Sequence, residues 1–187
     1  MIGGILRFAQ SLTAFGNPTP ASYLRFIARK ESPMHICWSF RNRLALIRIP
    51  LRWNFKKKTE EMNNCRETFE YRGPDPLTNP YLLFAGIAVA IKYGLENPKE
   101  ALNIAEDLHV EEAGKRKRLK NLPRSATNLQ KPKKDKKYYE ADNVFPKILI
   151  DKIIDKLKAY KDKDLWKNLA DKPEKIENLL KQYLHNG

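Results

Sequence analysis

The sequence predicts an α+β fold in which antiparallel strands and packed helices form a core and the chain ends in a helical region. Three observations support this prediction. Apolar residues recur at helical spacing near the start of the chain and again after residue 146, short alternating stretches lie between residues 34 and 72, and two Asn-Pro pairs open helical patterns. With 187 residues, 42% of them hydrophobic, the chain is long enough to bury a core.

The first predicted element is a helix over residues 2–15. Ile5, Phe8, Leu12 and Phe15 recur near helical spacing, and prolines after residue 17 end the pattern. A buried helix that starts at the first residue has no preceding turn to cap it, so we expect this chain to be part of a longer protein.

Strands are predicted next. Alternation over residues 34–38 predicts one strand, and alternation over residues 66–72 predicts another, on which Glu70 and Arg72 share a face. Residues 52–64 are polar and show neither helical nor strand periodicity, so we interpret them as an exposed loop.

Helices dominate the rest of the chain. Asn79 and Asn97 each precede a proline and form start signals for helices that extend to about Leu95 and Leu108. The first of these helices is apolar nearly all round, which predicts burial in the centre of the fold.

We therefore divide the chain into three parts. Residues 1–112 form a core of strands and helices, residues 113–140 form a basic linker without a core pattern, and residues 141–187 form a helical region with apolar stripes. The stripes comprise Ile150, Ile153, Ile154 and Leu157, and then Ile176, Leu179, Leu180, Tyr183 and Leu184.

The formal net charge of +14 is unevenly distributed. Residues 114–137 contain eleven lysines and arginines but one aspartate, and residues 17–72 contain most of the remaining excess. A nucleic-acid-binding domain more often spreads basic residues over one folded face with aromatic residues to stack on. Nucleic-acid binding through residues 114–137 is therefore the less favoured function.

Cysteine usage and hydropathy indicate a cytoplasmic protein. Cys37 and Cys65 lack CxxC spacing, and we interpret them as reduced thiols. No apolar run approaches the ~20 residues of a membrane helix, and the N-terminus lacks the pattern of a signal peptide.

The residues that suggest chemistry are arginines in apolar, strand-like surroundings, namely Arg25, Arg41, Arg43, Arg48 and Arg72. Desolvation of a guanidinium is costly unless it meets a carboxylate or phosphate, so these arginines predict an anion site. Arg43 and Arg48 are an odd number of residues apart, and a bend or bulge between them would let both converge.

The order of these residues resembles the C-terminal half of the glutamine synthetase catalytic domain. The matching motifs are Asn17-Pro18-Thr19, Tyr23, Arg25, Glu31, Pro33, Arg41-Asn42-Arg43, Ile47-Arg48-Ile49-Pro50, Glu70-Tyr71-Arg72, Pro74-Asp75-Pro76 and Asn79-Pro80-Tyr81. The resemblance is continuous from Tyr23 to Pro50 and looser to the C-terminus. The β-grasp domain and the first half of the catalytic domain, which carry the other metal ligands of the family, have no counterpart in this sequence.

The resemblance assigns a role to each matched charged residue. Arg25 and Arg72 would bind the carboxylates of glutamate, with Arg72 beside the reacting one, and Arg43 and Arg48 would contact the transferring and nucleotide phosphates. Arg43, Arg72 and Glu31 form the predicted catalytic set, in which Glu31 accepts the proton from ammonium.

The implied reaction is the ATP-dependent amidation of glutamate with ammonia through a glutamyl phosphate. Glu70 would bind the Mg²⁺ or Mn²⁺ ion that accompanies ATP. We expect the isolated chain to be inactive, because most of the family's metal ligands are missing from it. Activity would need a homo-oligomeric ring of the family type or another polypeptide that supplies the missing half.

Two alternatives stay open. Arg29, Lys30, Leu44 and Thr68 depart from the family pattern, so the chain could belong to a ligase that joins glutamate to a polyamine or another amine. It could also be a non-catalytic protein that associates with intact synthetase subunits.

Overall fold

The computed structural model describes residues 1–27, 32–50, 52–54, 59–61, 68–111, 119–126, 131–163, 165–169 and 172–184. The described residues confirm the α+β class. Their helices are α1 (Ile2–Arg7), α2 (Ala9–Gly16), α3 (Leu24–Ile27), α4 (Pro80–Glu96), α5 (Pro98–Asp107), α6 (Lys131–Glu140), α7 (Lys147–Ala159), α8 (Leu165–Leu169) and α9 (Pro173–Leu184). Their strands are β1 (His35–Phe40), β2 (Ala45–Ile49), β3 (Arg52–Asn54), β4 (Thr59–Glu61) and β5 (Glu70–Tyr71).

The N-terminal helical segment has a break at Phe8, where the backbone leaves helical geometry between α1 and α2. Before the break, α1 packs against α4 and α5 at very short range. A Cβ atom built on Gly4 would lie 2.2 Å from the carbonyl oxygen of Ala90, so only glycine permits this approach. The predicted helix over residues 2–15 is therefore present as two helices.

An aromatic cluster joins the N-terminal helices to the C-terminal region. The Phe15 ring is stacked on Phe145 at 5.2 Å and meets the edge of Tyr139 at 5.0 Å. The Tyr139 hydroxyl lies 2.7 Å from the Ser11 hydroxyl. These side chains are buried, and they join α2 to α6 and to the segment before α7 in one core.

Helix α4 is less buried than its composition predicts. Its buried face includes Leu83, Val89 and Ala90, but Tyr81 and Phe84 are 82% and 65% exposed. The prediction of a fully buried helix is wrong for the described chain, because α1, α2, α5 and α6 contact α4 but leave Tyr81 and Phe84 exposed.

The main sheet has the order β1-β2-β5 and is mixed. Strands β2 and β5 are antiparallel, but β1 and β2 are parallel, which corrects the prediction of antiparallel strands throughout. The connection from β1 to β2 begins at Arg41, whose φ of 64° is left-handed, and Asn42 then accepts a hydrogen bond from the backbone of Leu44. Strands β3 and β4 form a separate antiparallel pair within the segment predicted to be a loop.

Part of the predicted basic linker is folded. Its last ten residues form α6, on which Asp135 and Tyr139 are buried, and Leu122 is buried in the segment before it. Composition alone suggested a solvated segment, but a helix needs only one apolar edge to join a core. The division of the chain into three parts stays a prediction. The apolar stripe of α7 is confirmed, since Ile150, Ile154 and Leu157 are buried.

Across the described ranges, no helix combines the length and the hydropathy needed to cross a membrane.

Candidate functional site

Strand pairing brings Glu70 beside Arg48. The two residues are direct partners in the β2-β5 register, and Nη1 of Arg48 lies 3.1 Å from Oε2 of Glu70. The other carboxylate oxygen, Oε1, lies 2.9 Å from Nη1 of Arg72. One carboxylate is thus held between two guanidiniums, as the shared face of Glu70 and Arg72 suggested. We call Arg25, Arg48, Glu70 and Arg72 the arginine cluster.

Arg25 reaches the same place from α3. Its guanidinium donates hydrogen bonds to the carbonyl oxygens of Arg72, at 3.4 Å, and of Gly73. It also lies 4.5 Å from the centre of the Phe26 ring. Because the carbonyls of the two residues after β5 hold Arg25, its position depends on the segment that carries Glu70 and Arg72.

Burial lowers the pKa of Arg25. The charges of Asp75 and Tyr71 oppose this change, and the charge of Arg72 adds to it. A guanidinium is effectively always protonated in proteins, so Arg25 keeps its charge at neutral pH. Burial also raises the pKa of Tyr71, against the effect of Arg25, and therefore the phenol stays neutral.

Asn17 positions Arg25, a role that sequence reasoning missed. The side chain is fully buried, and its amide donates to the carbonyl oxygens of Thr13, at 3.2 Å, and of Gly73, at 3.1 Å. Its Oδ1 accepts from Arg25 at 3.4 Å. The sequence showed Asn17 before the proline that ends a helix and within a matching motif, but assigned it no role in the site. The contact with Gly73 spans 56 residues, so no local pattern could have revealed it.

The other predicted site residues have different positions. Arg43 is exposed in the turn between β1 and β2, and both its convergence with Arg48 and its role in phosphate binding stay predictions. Glu31 lies outside the described residues.

The arginine cluster retains donors for a ligand. Within the described part of the chain, the buried Nε atoms of Arg25 and Arg48 have no hydrogen-bond partner. Arg48 and Arg72 also share the single carboxylate of Glu70 in these contacts. A carboxylate or phosphate would satisfy such donors and balance the positive charge.

The described residues do not form a metal site by themselves. Both oxygens of Glu70 are engaged by guanidiniums, and the described ranges contain no group of three or more His, Cys, Asp or Glu residues able to hold an ion. Mg²⁺ usually keeps an octahedral shell of oxygen ligands. Further ligands would have to come from elsewhere, and we derive no step through a metal.

Cys37 is buried and is not in a disulfide, as predicted, whereas Cys65 lies outside the described residues. Burial raises the pKa of the Cys37 thiol to about 11, against a hydrogen bond from the backbone of Leu46. A thiol with this pKa is not a nucleophile at neutral pH, so Cys37 contributes to packing.

The described residues thus form an α+β domain in which the arginine cluster lies beside a mixed sheet. Comparison with known proteins identifies the family. The profile described as "Glutamine synthetase, catalytic domain" matches residues 1–180, and the chain belongs to this family.

Individual relatives agree with this assignment. The glutamine synthetase of Pyrococcus abyssi is 40% identical over 144 residues, which cover 75% of this chain and 30% of that protein. The glutamine synthetase of Vibrio cholerae is 35% identical over 185 residues, which cover 94% of this chain and 35% of that protein. The glutamine synthetase of Streptomyces filamentosus is 36% identical over 156 residues, which cover 82% of this chain and 32% of that protein. The chain thus spans about a third of the length of the curated relatives it matches.

Proposed function

We propose that this chain carries part of the active site of an ATP-dependent ligase that joins ammonia to glutamate. The observation that carries the proposal is the arginine cluster, in which Arg48 and Arg72 hold Glu70 and Arg25 is bound to the backbone that follows it, in a member of the glutamine synthetase family. Phosphorylation by ATP would convert the side-chain carboxylate of glutamate to an acyl phosphate, which ammonia then attacks.

The geometry supports a different role for each arginine of the cluster. Arg25 is fixed by backbone carbonyls and Asn17, which suits a residue that orients a carboxylate of the substrate. Arg48 and Arg72 are held by the more exposed Glu70, for which an incoming anion can substitute. We assign Arg72 to the reacting carboxylate, and Arg48 with Arg43 to the phosphates. Each guanidinium would stabilise negative charge that grows in the transition state.

The remaining roles concern residues with less structural support. We propose Glu31 as the acceptor of the ammonium proton, and Glu70 as one ligand of the Mg²⁺ or Mn²⁺ ion that neutralises the phosphates of ATP. Glu70 would have to exchange its guanidinium partners for the ion.

We further propose that the polypeptide found in the relatives beyond the matched third completes the site, either in the same chain or in a second one. The described structure supports this with an exposed apolar groove of about 560 Å³ between the sheet and α5. Phe40, Leu95 and Leu102 line it and are 40%, 64% and 62% exposed. Apolar area of this kind is usually covered in a stable assembly. A ring of subunits of the family type would then form from completed protomers.

The experiment that tests this function is complementation. The purified chain is mixed with a polypeptide comprising the unmatched part of the Pyrococcus abyssi relative, and glutamine formation from glutamate, ammonia and ATP is measured. We expect no turnover by the chain alone and turnover by the mixture. Arg48→Gln should abolish the gain, whereas Lys175→Gln, an exposed charge on α9, should not.

Three results would overturn the proposal. Turnover by the chain alone would show that its own residues suffice. A mixture that associates but stays inactive would indicate a non-catalytic interaction protein, and faster turnover with a polyamine than with ammonia would indicate the related amine ligase.

A further inference from the structure

A cavity of about 560 Å³ lies among the helices, and none of its lining residues belongs to the arginine cluster. Its walls come from α1, α5, α6 and residues 119–126, which hydrogen-bond to β1 through the carbonyl of Lys120 and the amide of Ile36. The volume is in the range of small-molecule sites. Because its walls are distant in sequence, only the folded chain forms this feature, which we call the α6 cavity.

The charge lining the α6 cavity is strongly positive. Lys120, Lys134 and Lys137 contribute exposed ammonium groups, while Arg7 forms an ion pair with Asp135 at 3.1 Å. Among the described residues that line the cavity, Asp135 is the sole acid. The pair is neutral, so the three lysines give an unbalanced positive charge that favours an anion.

The opposite wall is apolar. Ile36 is buried, and Ile104 and Leu108 are partly covered, while the Tyr138 ring lies on the α6 side. A small inorganic anion would leave the apolar wall exposed to water. An anion with an apolar or aromatic body would cover it and gain hydrophobic contact.

Asp135 adds a specific requirement. The residue is 3% exposed, and its Oδ2 atom is buried without a hydrogen-bond partner in the described part of the chain. A buried carboxylate oxygen without a donor is unfavourable. A ligand with an N–H or O–H group directed at Asp135 would supply that donor.

We propose that the α6 cavity binds an organic anion of about the size of a mononucleotide. Its anionic group contacts the lysines, its apolar or aromatic body packs on Ile104 and Leu108, and its hydrogen-bond donor reaches Asp135. The proposal does not depend on the ligase function, since none of these residues belongs to the arginine cluster.

The test is a calorimetric titration of the full chain with adenosine monophosphate at low and high salt. Adenosine and inorganic phosphate are titrated separately, because each carries half of the proposed chemistry. We expect adenosine monophosphate to bind more weakly at high salt. Adenosine and inorganic phosphate should each bind at least about tenfold more weakly than adenosine monophosphate.

Matched variants locate the site. Lys134→Gln/Lys137→Gln should weaken nucleotide binding by about tenfold or more. Lys172→Gln/Lys175→Gln removes the same charge near the start of α9 and should leave the affinity unchanged. Circular dichroism establishes that each variant is folded, and Lys120→Gln serves as a milder replacement if the double variant is not.

Other outcomes would overturn the proposal. The absence of binding at millimolar nucleotide would remove it. Loss of affinity with Arg48→Gln but not with the lysine variants would place the nucleotide in the arginine cluster. Equal losses in the α6 and α9 variants would show attraction to net charge without a site.

Discussion

The arginines at the sheet and the lysines on the C-terminal helices carry the same charge but are held in different ways. The Arg48 and Arg72 side chains are 24% and 17% exposed, and Glu70 fixes both. Lys181 on α9 is 65% exposed, and its ion pair within the described ranges is with Glu177, one helical turn away. The comparison shows that a net charge says little about where an anion binds. Partial burial with several fixed partners distinguishes a site from a solvated surface.

The largest expected effect comes from removing a guanidinium of the arginine cluster. In a complemented enzyme, Arg72→Ala should lower kcat/KM by about 10²–10³-fold, because a fixed donor to developing charge is lost. Steady-state rates of glutamine formation measure this. Lys181→Ala is the matched control and should retain the full rate, and an unchanged rate for Arg72→Ala would place Arg72 outside the reaction.

The next effect concerns the residue that supports the cluster. Asn17→Ala should reduce the free energy of unfolding by about 2–4 kcal/mol, since it removes hydrogen bonds of a fully buried side chain. Urea denaturation measures the change. Asn97→Ala, which removes one partly buried hydrogen bond to Tyr93, should cost about 1 kcal/mol. Equal costs at the two positions would contradict the central role of Asn17.

Cys37 predicts a dependence of stability on pH. Burial raises the pKa of its thiol from 9.0 to about 11, so the folded chain binds the proton more tightly than the unfolded chain. The resulting stability is complete below pH 9.0 and is lost as the pH rises toward 11. Relative to Cys37→Ala, the native chain should lose roughly 2–3 kcal/mol between pH 8 and pH 11.

Urea denaturation at several pH values separates this effect from others. The variant retains every tyrosine, and therefore the difference between the two proteins reports Cys37 alone. Parallel stability curves would show that the thiol is as accessible in the folded chain as in the unfolded one.

The smallest effect on stability is expected for an exposed ion pair on α9. Glu177→Gln breaks the exposed pair with Lys181 and should change the free energy of unfolding by less than about 0.5 kcal/mol. Urea denaturation again provides the measurement. A cost equal to that of Asn17→Ala would remove the distinction between the two regions.

Local patterns predicted much of the helical structure. Asn79 caps α4 with hydrogen bonds to the next two amides, as expected for an Asn-Pro start, and the apolar stripe of α7 faces the core. The same patterns failed where long-range packing decides. They gave no sign that α6 would bury Asp135 and Tyr139, or that β1 and β2 would be parallel, because both depend on partners distant in sequence.

The sequence predicted the charged residues of the candidate site but not the residue that positions them. Alternation placed Glu70 and Arg72 on one face, and the resemblance added Arg25 and Arg48, all of which the fold brings together. Asn17 was missed as a positioning residue. Its hydrogen bond to Gly73 becomes visible only when α2 ends beside the residue that follows β5.

By itself the sequence determined the family, the start of α4, the apolar stripe of α7 and the types of residue available for an anion site, because these are properties of neighbours in the chain. The tertiary structure alone decided which arginine and lysine side chains are partly buried and held by fixed partners. Arg25 is fixed by the carbonyl of Gly73, 48 residues away, whereas the Lys181 ammonium contacts a side chain on its own helix. A guanidinium becomes part of a site when the fold removes it from water and supplies partners, and no local pattern encodes that environment.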